Sequence, residues 1–362
     1  MNIGGNMKLL LYGCGTRGRY LLDFFKEVEY VEIIGITDKN DDAIYTLSEE
    51  NVSYFKCRNE ILKMKFDYLL VTSDKYFKDI FSELIAYGVE EHKIVSLKEL
   101  NNILINVSIK EKRTLQKCNL CNNEVFDWLP TGDRNSLFEK KSVIGAGYRK
   151  GICTVCGSTD RLRYEYYVLK KYTNIFDNNS SILHFAPEDK LSEKFRKREC
   201  EYITADIKEG RADVVADITN LQFRNDYFDW IICNHVMEHI KNEYKAFNEI
   251  KRCLKPGGNL ILSVPICWDD NTFERDDIVT EEDKALYYGQ SDHERIYGRD
   301  IVERIEKYGF DVKAYKNTDI CNEREIEENR FIVGDTVFIC TKKYGGELSD
   351  KGISYYASSK CS

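Results

Sequence analysis

Apolar and polar positions fall into blocks along the chain, and the period of the pattern changes from block to block. From residue 7, MKLLLYG is a short apolar run with strand character. GCGTRG follows as a turn, and RYLLDFFKEV then carries its apolar residues at helical spacing. VEIIGITD, FDYLLVTS and KIVSL predict three more strands, with YFKDIFSELIAYG as an amphipathic helix between the last two. Strand–helix–strand alternation of this kind predicts a parallel sheet with helices on its faces. The pattern breaks over residues 101–177 and resumes over 181–343. There SILHF, EYITADI, YFDWIICN, GNLILSVPI, FDVKAYK and DTVFICTKK predict strands, and EYKAFNEIKRCL and GRDIVERIEKYG predict helices. No such pattern continues into GGELSDKGISYYASSKCS.

Length and composition narrow the class. A chain of 362 residues predicts two or three domains, and 43% apolar with 31% charged residues is an ordinary globular mixture. The net charge of −8 disfavours a chain-wide role on nucleic acid or anionic membrane. No apolar stretch approaches the length of a membrane span, and the first residues lead into a strand rather than a signal peptide. With 13 cysteines, most of them single within apolar segments, a reducing, cytoplasmic setting is expected. A homo-oligomer stays open.

The first chemical motif is Gly13, Gly15 and Gly18, a G-x-G-x-x-G between a strand and a helix, with Asp38 at the end of the next strand. Such a turn brings backbone N–H groups and a helix N-terminus to a phosphate, and the acidic residue can hold ribose hydroxyls. A tight strand–helix turn needs these glycines whether or not anything binds. YGCGTRG, IIGITDKN and FDYLLVTS resemble the N-terminal domain found on bacterial sugar acyltransferases and other glycan-pathway enzymes. That resemblance implies a nucleotide-sugar or related ligand rather than hydride transfer.

Cys118 and Cys121 form one C-x2-C pair and Cys153 and Cys156 another. Two such knuckles complete a tetrahedral thiolate shell suited to structural Zn²⁺. A filled four-cysteine shell leaves no open position for catalysis. Residues 110–171 around it carry 13 Lys or Arg against 7 Asp or Glu, which suits a phosphorylated or nucleotide-linked substrate or simply a solvated face.

The third set spans residues 181–265. EYITADI ends in Asp206 and Ile207, ADVVADITNL places Asp217 and Ile218 before a turn, and DWIICNHVMEHI and LKPGG follow at a set separation. These segments resemble a class I S-adenosylmethionine-dependent methyltransferase. The resemblance implies that Asp206 accepts from both ribose hydroxyls with Ile207 beside it. Asp217 would meet the adenine amino group, Ile218 would pack on the ring, and Asn234 and His235 would lie by the methionine moiety. One departure stands out. ILHFAPEDKL replaces the glycine-rich loop after the first strand of this block, with His184, Ala186 and Glu188 in its place. A loop holding Ala186 and Pro187 is not expected to turn as a triple-glycine loop does. Glu188 is expected near the cofactor's ammonium.

Residues 266–298 form a long connection, expected to be a loop over the substrate side. His293 within it is the expected catalytic base, with Gln290 and Arg295 as substrate contacts; Glu238 and His239 are expected to cap or pack a helix. The expected fold class is α/β, with two Rossmann-like parallel-sheet domains joined by a small zinc-ribbon-like module. The expected boundaries are 1–105, 106–177 and 178–345, with a flexible tail at 346–362. The expected function is methyl transfer to an oxygen of a sugar, nucleotide-sugar or phosphorylated glycan precursor, with no nucleic acid partner. Transfer to carbon or nitrogen of a small metabolite, or a non-catalytic nucleotide-sugar-binding scaffold, are the alternatives.

Overall fold

The computed structural model describes residues 6–39, 58–110, 115–132, 134–177 and 179–343. The expected tail at 346–362 lies outside them. By compactness the chain forms two units. The first comprises residues 1–133, 148–163 and 324–331, and the second residues 134–147, 164–323 and 332–362.

In the first unit, β1 (Met7–Tyr12), β2 (Val31–Thr37), β3 (Tyr68–Val71) and β4 (Ile94–Val95) form a parallel sheet in the order β2-β1-β3-β4. Alternate residues of β1 serve opposite faces. Leu9 and Leu11 pack with the helices Thr16–Lys26 and Leu97–Lys110, and Leu10 and Tyr12 with the helix Phe77–Tyr87. At the β1 turn, a Cβ on Gly18 would stand 1.8 Å from the Gly13 carbonyl oxygen, so only glycine lets the helix approach the strand here. Two antiparallel pairs complete the unit: β5 (Gln116–Lys117) with β6 (Glu124–Val125), and β7 (Trp128–Thr131) with β8 (Arg149–Cys153).

The second unit is built on a seven-stranded sheet. Its strands are β9 (Ser181–Phe185), β10 (Glu201–Asp206), β11 (Val214–Val215), β12 (Phe228–Asn234), β13 (Leu254–Ser263), β16 (Phe310–Lys316) and β17 (Thr336–Lys342). Their order is β11-β10-β9-β12-β13-β17-β16, with β17 antiparallel to both neighbours and the remainder parallel. All five residues of β9 are buried, as expected of a strand covered on both faces. The register of β12 on β13 shifts where Phe228 faces Leu254 and Trp230 faces Asn259, which accommodates the LKPGG segment. Gly257 there takes φ +75°, and a Cβ on Gly258 would crowd the carbonyls of Lys255 and Phe228.

The boundaries differ from those expected. Residues 134–147 and 164–177 belong to the second unit rather than to a separate middle module, and 324–331 belong to the first unit. Ile144 pairs with Ile266, and Phe138 and Val143 share a core with Cys267, Ile278, Tyr288 and Ile296. The connection 266–298 is therefore no bare loop. It contains β14 (Ile266–Cys267), the helix Glu281–Tyr288 and β15 (Tyr297–Gly298), with β14 and β15 paired.

Candidate functional site

The carboxyl ends of β9, β10 and β12 converge, which is where an open parallel sheet binds ligands. At the end of β9, the HFAPE segment makes its turn without glycine. Ala186 itself adopts φ +45°, the left-handed region, and its N–H donates to the Ala205 carbonyl at 2.8 Å. The expectation that this loop cannot turn as a glycine loop does is corrected: the alanine takes a conformation in which a glycine is normally found.

His184 is wholly buried. Its Nδ1 lies 2.8 Å from the Tyr202 hydroxyl and its Nε2 lies 2.8 Å from Glu188 Oε2. With both ring nitrogens engaged, His184 does not reach a ligand, and it acts by holding Glu188. Burial works against the charge of Glu188, but the hydrogen bond and charge of His184 outweigh it and keep the carboxyl below its usual range. Glu188 thus presents an anion at the end of β9.

Asp206 closes β10. Its Oδ1 accepts the Lys208 N–H at 2.8 Å, which fixes the carboxylate at the rim, and Ile207 beside it is 63% exposed. Asp217 is exposed, and its Oδ1 accepts from Thr219 N–H and Oγ–H, each at 2.8 Å. Ile218 is 4% exposed and lies in the hydrophobic core, so it cannot offer its face to a ring as expected. The apolar surface at this rim comes from Ile207.

Asn234 ends β12, almost fully buried. Its Oδ1 accepts from Ser263 Oγ at 2.9 Å, and its Nδ2 has no hydrogen-bond partner. Next to it, His235 holds φ +51° and donates its backbone N–H to the Ser263 carbonyl. Its Nδ1 lies 3.3 Å from Glu238 Oε1. A residue that sequence reasoning missed completes this corner. Glu165, on the helix Asp160–Tyr172, is buried with Oε1 unpartnered. Burial first, and then the charge of Glu188, push its carboxyl well above the ordinary range, while the nearby Asn234 amide pulls the other way. The signal was a lone acid on the apolar stripe of Leu162, Val168 and Leu169.

The segment expected to cover the substrate side is firmly anchored. Arg295, expected to touch substrate, is 1% exposed. Its guanidinium donates to the carbonyls of Met237 (2.8 Å), Ile240 (2.6 Å) and Lys241 (3.1 Å) and to Glu274 Oε1 (2.7 Å). Those partners replace every role at a substrate surface, so the arginine is a structural rivet. Gln290 is exposed. His293 is buried, with its ring centroid 4.8 Å from that of His239 in an edge-to-face arrangement. Burial pushes its pKa below the usual imidazole value against the opposing pull of Glu238.

In the first unit, the Asp38 carboxylate accepts the Cys14 N–H at 2.7 Å, so one donor of the Gly13–Gly18 turn is already engaged. A Cβ on Gly15 would meet nothing within 4 Å, which leaves open space over the turn. The four paired cysteines meet. Cys118 and Cys156 sulfurs are 3.8 Å apart and Cys121 and Cys153 sulfurs 3.9 Å, and all four lie within 4.8 Å of one another. Around a tetrahedral ion with bonds of about 2.3 Å, sulfurs stand roughly 3.8 Å apart. The two knuckles repeat one geometry. Cys118 N–H donates to Asn123 O and receives Asn122 N–H at its carbonyl; Cys153 N–H donates to Ser158 O and receives Gly157 N–H. Asn122 and Gly157 both hold positive φ, at 61° and 76°.

Two parts of the chain are similar to known families. Residues 180–262 match the family described as Methyltransferase domain, and residues 5–95 match the family described as C2185-like, N-terminal. The ubiquinone/menaquinone biosynthesis C-methyltransferase UbiE of Francisella tularensis subsp. novicida is 25% identical over 200 residues, covering 50% of this chain and 75% of that protein. The uncharacterized protein MJ1123 of Methanocaldococcus jannaschii is 27% identical over 126 residues, covering 33% of this chain and 59% of that protein, a little over half its length. A solved SAM-dependent methyltransferase from Archaeoglobus fulgidus is 19% identical, with a TM-score of 0.35, covering 51% of this chain and 95% of that one. The second unit carries a class I S-adenosylmethionine-dependent methyltransferase domain, matched over residues 180–262. No helix among the described residues is long and apolar enough to cross a membrane.

Proposed function

We propose that the protein transfers a methyl group from S-adenosylmethionine to an oxygen of a sugar, nucleotide-sugar or phosphorylated glycan precursor. The observation that carries the reading is that Asp206 ends β10 and Asn234 ends β12, parallel strands on either side of β9, with Glu238, His239 and His293 gathered in the segments beyond β12. S-adenosylmethionine supplies an electrophilic methyl on a sulfonium. The residues present fit it. Asp206 offers a carboxylate acceptor for a ribose diol, and Ile207 an exposed apolar face for a base. Asp217 stands at the rim for the adenine amino group. The unpartnered Asn234 Nδ2 and the anion of Glu188 suit the two ends of an amino acid. Transfer then depends chiefly on alignment of the acceptor with the methyl and sulfur. A hydroxyl must also lose its proton as it reacts, and the polar groups beyond β12 are the ones placed to assist that loss.

In this reading the first unit binds a nucleotide-sugar over the Gly13–Gly18 turn, and structural zinc fills the four-cysteine shell. A second reading, methyl transfer to carbon, is favoured by the similarity to UbiE. One experiment separates them. The purified protein is incubated with a nucleotide-sugar panel and isotopically labelled cofactor, and products are read by mass spectrometry. A methyl ether is expected. A carbon-methylated product, or cofactor binding absent by calorimetry, overturns the proposal.

A further inference from the structure

Beyond the cofactor's carboxylates, the second unit gathers a set of ligating side chains of another kind. Glu238, His239 and His293 each offer one donor atom, and these atoms lie within 4.8 Å of one another. Glu238 and His239 come from the short 3-10 turn that follows β12, and His293 from the segment before β15. The link between them is local and firm: Glu294 N–H donates to the Glu238 carbonyl at 2.7 Å, and Arg295 is tied to the carbonyls around Met237. Two imidazoles and one carboxylate are a donor set for divalent first-row cations, and three protein ligands leave positions open to another molecule.

Two features separate this set from a chance cluster. The Glu238 side chain is 2% exposed, and its Oε2 has no hydrogen-bond partner. A buried, half-satisfied carboxylate is costly to hold, and a cation beside it removes that cost. Two of the ligands also have an outer partner that would orient them. Glu238 Oε1 faces His235 Nδ1 at 3.3 Å, and His239 Nδ1 faces Asp292 Oδ2 at 3.3 Å. Metal-bound histidines commonly give their second nitrogen to a carboxylate or a carbonyl in this way. The His293 ring packs edge-to-face on that of His239, with centroids 4.8 Å apart.

We propose that Glu238, His239 and His293 form a binding site for one divalent first-row transition cation, open on its remaining side to an oxygen of the methyl acceptor. The site's role rests on the methyl-transfer reading above, but its existence does not. His293 then serves as a ligand and not as a free base. A hydroxyl bound at the open side would release its proton to solvent. Its oxygen lone pair would form the new O–CH3 bond as the S–CH3 bond breaks, giving a methyl ether and S-adenosylhomocysteine.

The test titrates full-length, chelator-treated protein with cobalt(II), a spectroscopic stand-in that reports thiolate and imidazole ligands differently. Wild-type protein should take up one equivalent with thiolate charge-transfer absorption and a second without it. His239→Gln, at a partly exposed position that folding should tolerate, is expected to lose only the second equivalent, and Glu238→Gln likewise. Asp292→Asn, which changes an outer partner alone, should weaken that equivalent roughly 10- to 100-fold. Wild-type uptake confined to thiolate-bound cobalt overturns the site, as does unchanged stoichiometry in both ligand variants. Calorimetry with S-adenosylmethionine on the same samples keeps the two readings apart. Cofactor binding without the second equivalent refutes the cation site alone, and the second equivalent without cofactor binding refutes the methyl-transfer reading alone.

Discussion

His184 Nε2 meets Glu188 Oε2 at 2.8 Å across the turn that follows β9. The imidazole lies on the strand and the carboxylate at the start of the helix Asp189–Phe195. The contact extends into a chain, because Tyr202 on β10 bridges His184 Nδ1 and Ser192 Oγ at 2.8 Å each. In a glycine-rich loop, backbone N–H groups and small residues admit the cofactor's amino-acid end. Here side chains on three successive elements fix one carboxylate in that place. The arrangement needs a sharp turn at Ala186, which takes the left-handed conformation.

That conformation gives the first prediction. A non-glycine residue in the left-handed region costs roughly 1–2 kcal/mol. Ala186→Gly should therefore leave stability unchanged or raise it by up to about 1 kcal/mol, since the gain is offset by the extra chain entropy of glycine. Ala186→Val should destabilise by more than the alanine strain itself. Denaturant midpoints of the two variants check this. A glycine variant clearly less stable than wild type would show that the turn depends on the alanine methyl.

Asp206 should be the main anchor of the cofactor. Losing a charge-assisted hydrogen bond to the ribose costs about 1.5–3 kcal/mol, so Asp206→Ala should weaken S-adenosylmethionine roughly 10- to 150-fold by calorimetry. Unchanged affinity in a folded variant removes Asp206 from the cofactor site.

The centre of the second unit's sheet was legible because β9 and β12 are almost wholly buried and read as continuous apolar runs. SILHF and WIICN needed no partner to be recognised. The placement of Asp206 and Asn234 was legible for a related reason: each ends a strand of the parallel sheet. The boundaries were not legible. Phe138 and Val143 are packed by Ile278 and Tyr288, more than a hundred residues further on, and no local pattern encodes that. Arg295 looked like a substrate contact because a charged residue in a long connection is usually solvated. Its partners are mostly backbone carbonyls, which leave no trace in residue identity. Glu165 was hidden for the opposite reason, as one acid inside an otherwise regular apolar stripe.

The four-cysteine shell should hold one zinc per chain. Cys118→Ser together with Cys153→Ser breaks both knuckles, so metal analysis after chelator-free purification should show that zinc lost. Thermal stability should fall, because binding to such a site is folding free energy for the strands around it. Retained zinc and an unchanged melting temperature in the double variant refute the assignment.

Arg295 should contribute to stability rather than to substrate affinity. It is buried, faces Glu274 at 2.7 Å and Glu243 at 3.7 Å, and Arg304 pairs with the same two carboxylates. Removing one partner from a buried ionic cluster typically costs about 3–5 kcal/mol. Arg295→Met should lower stability by that order, with KM for acceptor in the surviving folded fraction little changed. A large rise in KM at unaltered stability would restore the arginine to the substrate surface.

Glu165 sets a pH dependence whose sign follows from its environment. Its folded-state carboxyl is raised, chiefly by burial and then by Glu188, above the unfolded value of about 4.3. A raised acid binds its proton more tightly in the folded chain. The stability this contributes is fully present below the unfolded value and is lost as pH rises through the folded one. Glu165→Gln keeps the shape and the neutral state without a group that can ionise. The variant should match wild type in mildly acidic solution and exceed it increasingly as pH rises, with the gap widest on the alkaline side. Denaturant unfolding of both proteins across the pH range, without cofactor, measures that gap. A constant difference at every pH would mean that Glu165 ionises as easily in the folded protein as in the unfolded chain.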